Sequence, residues 1–74
     1  MTYKPIPHPS ILEQYEKVRG KKRWRSPEDG RFYEWDGLHG EVEVYDKHGS
    51  HLGAIHPITG TNVKAAKKGR SIDV

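Results

Sequence analysis

Cysteine is absent from the 74 residues, and methionine and phenylalanine occur once each. No disulfide can therefore staple the chain, and no thiolate metal site of the zinc-finger kind can form. Hydrophobic residues amount to only 32%. No apolar run approaches the roughly 20 residues that cross a bilayer as a helix, and none forms the apolar stretch of a secretory signal. The length admits one small core and not two. A transmembrane-helix protein, a zinc finger and a two-domain enzyme are thereby excluded. Charge of a single sign is missing as well, since 13 Lys and Arg stand against 10 Asp and Glu for a net +3.

The charges that are present are sorted along the chain. Residues 31–46 carry −4, with Arg31 against Glu34, Asp36, Glu41, Glu43 and Asp46. Residues 21–30 carry +2, and residues 47–74 carry +4 from Lys47, Lys64, Lys67, Lys68 and Arg70 against Asp73. A surface that serves solubility alone usually intersperses its signs. Basic flanks suit a polyanion, and acids clustered between them suit chemistry performed on it. An ordinary solvated sheet surface is the competing reading.

Glycines at 30, 40, 49 and 60 close turn-like clusters, of which Ser26-Pro27-Glu28-Asp29-Gly30 and Asp46-Lys47-His48-Gly49 are two. Short runs of strand formers lie between them: 23–25, 31–35, 41–45, 51–55, 61–64 and a weaker one at 70–73. Evenly spaced strands with turn chemistry predict an antiparallel meander. The amino-terminal part reads differently. Pro5, Pro7 and Pro9 indicate an extended arm. Ser10 followed by Glu13 has the form of a capping box, and Ile11, Leu12, Tyr15 and Val18 recur at helical spacing until Gly20. The expected fold is therefore α+β and mostly β, with a short N-terminal helix packed on a highly twisted antiparallel sheet of five to six strands. Within one domain, residues 1–20 form the arm and helix, and residues 21–74 form the sheet region.

Residues 39–45 read His-Gly-Glu-Val-Glu-Val-Tyr. Alternate side chains of a strand share a face, so His39, Glu41, Glu43 and Tyr45 line one side and Val42 and Val44 the other. A histidine and a carboxylate on one face can supply an acid and a base to a phosphodiester. An exposed polar face with valines inward fits the same pattern. Histidine and carboxylates can also hold Mn²⁺ or Zn²⁺, although no second histidine stands at a recognisable ligand spacing from His39. Tyr33 and Tyr45 are candidates for stacking on an unpaired base, with core packing as the alternative for each. Lys64, Lys67, Lys68 and Arg70 form a cationic tail fit for phosphates. Ile72 at strand spacing implies that Arg70 is ordered, able to grip a phosphate or stabilise a phosphorane.

The block Tyr33-Glu34-Trp35-Asp36, then His39-Gly40-Glu41-Val42-Glu43-Val44-Tyr45, resembles the cytotoxic ribonuclease domain of ribosome-inactivating colicins and the related S-type pyocins. The likeness continues through Gly49, His51-Leu52-Gly53, Pro57, Thr59-Gly60 and Lys64 to Arg70 and Ile72. The turn at 46–49 is one residue shorter than is usual in that family. The resemblance implies a metal-independent, cofactor-free endoribonuclease that cuts small-subunit ribosomal RNA at the decoding site. Carried over by position, Glu43 is the general base, His39 the acid, Asp36 the support of His39, and Arg70 the phosphorane stabiliser. Glu41 and Lys64 fall at secondary positions. It further implies an acidic immunity protein as partner, no membrane or DNA partner for this domain, and receptor-binding and translocation domains N-terminal to it. The whole would be a secreted bacteriocin that acts in the target cell's cytoplasm. The alternative of another class is a non-catalytic RNA- or ribosome-binding β-module.

Overall fold

Turns rather than helices organise the chain in the computed structural model, which describes residues 2–74. Met1, where the expected arm begins, lies outside them. Six strands follow one another: β1 (Glu16–Lys17), β2 (Arg23–Arg25), β3 (Phe32–Asp36), β4 (Glu41–Tyr45), β5 (His51–Ile55) and β6 (Asn62–Ala65). They form one sheet in the order β1-β2-β3-β4-β5-β6, antiparallel throughout. Every strand thus pairs only with its sequence neighbours, as a meander requires. The weak run at 70–73 is not a strand; it contributes a single bridge, Ser50 to Ser71.

The expected N-terminal helix is not there. Only a 3₁₀ turn, Ile11–Gln14, forms, and the chain is already extended at Tyr15 (φ −115°, ψ 163°). Its start obeys the sequence signal, since Glu13 accepts the Ser10 N–H at 2.9 Å. Tertiary pairing then overrides the helical spacing. Two turns of isolated helix are marginal in water, whereas extending residues 16–17 covers the otherwise bare edge of β2, and the Val18 N–H reaches the Arg23 carbonyl at 2.7 Å. The apolar residues still go inward: Ile11 and Leu12 are buried, and Tyr15 stacks on Tyr33 with centroids 4.2 Å apart. The α part of the expected class is therefore replaced by one more strand.

The core is Ile11, Leu12, Tyr33, Val42 and Val44, with Tyr15, Trp24, Trp35 and Ile55 packed around it. It lies on one face of the sheet. The other face is covered by the carboxyl-terminal segment, which returns from β6 across β4 and β5. There the Ile72 N–H donates to the Gly49 carbonyl at 2.9 Å and the His51 N–H to the Arg70 carbonyl at 3.0 Å. The arm before Ser10 is tied to the β3–β4 turn, where the Lys4 N–H donates to the Gly37 carbonyl at 2.8 Å and Trp35 Nε1–H to the Lys4 carbonyl at 2.9 Å. Among the described residues no helix is long and apolar enough to cross a membrane.

Candidate active site

The acidic stretch of the sequence becomes the second face of β3 and β4. Register sets Glu34 opposite Glu43 and Asp36 opposite Glu41. Like charges paired across strands repel, and each of the three glutamates is answered by a separate cation. Arg23 Nε lies 2.8 Å from Glu34, Lys64 Nζ 2.8 Å from Glu41, and Arg70 Nη1 2.7 Å from Glu43 Oε1. The basic flanks of the sequence thus fold back over its acidic centre. The competing reading of an exposed polar face does not describe β4, because Glu43 is only 7% exposed and Tyr45 1%.

His39 lies two residues before β4, in the turn between β3 and β4. Asp36, the last residue of β3, builds that turn. Its Oδ1 accepts the N–H groups of Leu38 (3.1 Å) and His39 (3.2 Å), and its Oδ2 meets His39 Nδ1 at 2.8 Å. Partial burial pushes the Asp36 carboxyl up, but the hydrogen bonds from the His39 ring and from those amides outweigh it and hold the group below its ordinary value. With Nδ1 engaged, Nε2 is the ring nitrogen left for chemistry, and the side chain is 54% exposed.

A cleft of about 480 Å³ opens beside this turn. Asp36, His39, Glu43, Lys64, Lys67 and Arg70 line it, so six of the ten residues named from the sequence meet there. Glu41 sits at its margin through Lys64, whose ammonium that hydrogen bond raises above its usual value. Tyr45 is beneath the cleft: burial raises its phenol, and the Arg70 guanidinium, 5.9 Å over its ring, opposes the shift. Tyr33 is on the opposite face, in the core, and Lys68 is exposed without lining the cleft. Neither tyrosine presents a ring face to a nucleobase.

Sequence reasoning missed His51, which also lines the cleft. It pairs with Tyr45 across a β-bulge, its side chain is 3% exposed, and its Nε2 stands 3.7 Å from Glu43 Oε1. Counting alternate positions back from Ala54, the partner of Glu43, assigns His51 to the core face. The bulge adds one residue and turns it to the site. The signal available in the sequence was Gly53 inside the strand run, since a glycine there often marks a bulge.

Asp36, His39 and Glu41 each offer a ligand atom within 4.8 Å of the others, which gives the metal alternative a place. The Lys64 ammonium already sits on Glu41 and the His39 ring on Asp36, so a cation would have to displace two existing contacts. What the cleft can do unaided is proton transfer at two points beside a fixed guanidinium.

The family model described as Cytotoxic matches residues 14–73. The chain is 46% identical to cloacin of Escherichia coli over 55 residues, 72% of its length. It is 42% identical to colicin E3 over 53 residues, 70% of its length, and 42% identical to colicin E6 over 55, both also of Escherichia coli. It spans 10% of the length of each of these curated relatives.

Proposed function

The chain belongs to the Cytotoxic family, and from that premise we propose that it is a bacteriocin-type endoribonuclease cutting small-subunit ribosomal RNA at the decoding site without a metal. One observation carries the reading: an exposed histidine fixed by a carboxylate, a buried glutamate with one oxygen unpartnered, and a guanidinium on its other oxygen share one cleft.

Glu43 takes the proton of a ribose 2′-hydroxyl, and the oxygen attacks the adjacent phosphorus. His39, protonated and held by Asp36, gives its proton to the departing 5′-oxygen as the P–O bond breaks. Arg70, 43% exposed at its side chain, turns the rest of its guanidinium to the phosphorane and offsets its extra charge. The products are a 2′,3′-cyclic phosphate and a 5′-hydroxyl. DNA lacks the attacking hydroxyl and is not a substrate. Lys64 and Lys67 line the cleft and hold flanking phosphates. In this reading the domain is the killing part of a longer secreted bacteriocin, acts in the target cytoplasm, and is neutralised in the producer by a small acidic immunity protein suited to its basic surface.

The test is brief incubation of bacterial ribosomes with the domain in EDTA, with small-subunit RNA read by primer extension near its 3′ end. One new stop at the decoding site is expected, absent with Glu43→Ala and with His39→Ala. Intact RNA, or cleavage that EDTA abolishes, overturns the proposal.

A further inference from the structure

Two buried polar atoms of the cleft have no hydrogen-bond partner: Glu43 Oε2 and His51 Nε2. The two side chains are 9% and 3% exposed, so water does not freely satisfy either. The other atoms of both groups are taken. Glu43 Oε1 is held by Arg70 at 2.7 Å, and His51 Nδ1 accepts the Lys67 N–H at 2.8 Å. A backbone amide can only donate, so the neutral imidazole must carry its proton on Nε2. That N–H faces Glu43 Oε1 across 3.7 Å, a contact of the kind that apo sites hold long and tighten with substrate.

We infer that His51 is a positioning residue that fixes which oxygen of Glu43 works as the base. Resting on the reading above, the assignment divides the carboxylate: Oε1 is anchored by Arg70 and the His51 N–H, and Oε2 receives the ribose proton. His51 does this because it is itself fastened to the segment that carries the arginine. Its N–H donates to the Arg70 carbonyl and its Nδ1 accepts from Lys67, so base, guanidinium and imidazole form one unit. No other histidine is equivalent: His48 and His56 lie in turns away from the cleft, and His8 pairs with Glu13.

The two nitrogens can be imitated separately. His51→Asn keeps an acceptor for the Lys67 amide and no donor for Glu43; His51→Gln restores a donor near Nε2 and gives up the Nδ1 acceptor. A hydrogen bond to a charged group lost at the transition state corresponds to roughly ten- to a hundredfold. His51→Asn is therefore expected to lower kcat on ribosomes by about that factor at unchanged KM and near-parent Tm. His51→Gln is expected to recover most of kcat despite a lower Tm. In the free domain, imidazole ¹⁵N shifts are expected to report His51 protonated at Nε2 alone. Equal kcat for parent and His51→Asn, or a ring protonated at Nδ1, overturns the assignment. A parent that leaves ribosomal RNA intact overturns the proposed function instead, and the ¹⁵N shifts still decide the tautomer.

Discussion

Each carboxylate of the site face has its own partner, a cation for the three glutamates and the His39 ring for Asp36, and this pairing decides how single residues respond to pH. Asp36 is the clearest case. Its folded-state carboxyl lies below 3.8, the value of the free group, because the His39 ring and two amides favour the charged form over the cost of burial. A lowered carboxylate contributes stability above the unfolded value and loses it as pH falls through the folded one. Asp36→Asn is therefore expected to melt below the parent at about pH 6, with the gap narrowing as the pH falls below about 4. Thermal unfolding by circular dichroism across that range is the measurement; a gap that widens on acidification contradicts the account.

At the scale of elements, the strands were legible because turn chemistry and alternation are local. β4 and β5 have the bounds that their sequence pattern indicates. Two features were not legible, for one reason. Residues 16–17 became a strand because β2 had a free edge, and His51 reached the site because a bulge displaced the alternation; both are properties of a neighbouring strand. The carboxyl-terminal segment hangs on a third such dependence. Gly49 has φ 89°, and a Cβ there would stand 2.3 Å from the Ile72 carbonyl oxygen. Gly49→Ala is expected to cost about 1–2 kcal/mol of backbone strain alone and roughly 5–10 °C in Tm. It should cost activity beyond that by displacing the chain two residues after Arg70. Gly69→Ala, at φ 85° with nothing within 4 Å of the added carbon, supplies the same strain without the clash. Equal activities of the two variants, measured on ribosomes, would show that the clash does not reach Arg70.

For the whole molecule the relevant quantity is the distribution of charge, not its sum. The glutamates of the site face are paired with cations, whereas Lys67 and Lys68, near the cleft, are exposed to solvent and any polyanion. Binding to RNA through phosphates releases counterions, and affinity falls steeply with salt. Raising salt from about 50 to about 200 mM is expected to increase KM for ribosomes by at least tenfold while Tm changes little, since the core is apolar. Steady-state cleavage and melting curves at both concentrations test this together. A Tm that falls in step with activity would place the salt effect in folding.

The meander has a consequence in time. Neighbour-only pairing means that most of the sheet can assemble from contacts close in sequence, which favours rapid folding. Asp36, His39 and Glu43 all come from one hairpin, but Arg70 reaches Glu43 across 27 residues, and only after β5 and β6 have formed. On the proposed chemistry, a chain emerging from its own ribosome carries an acid and a base before it carries the charge that makes them effective. On that chemistry the cleft is complete only once Arg70 has docked on Glu43.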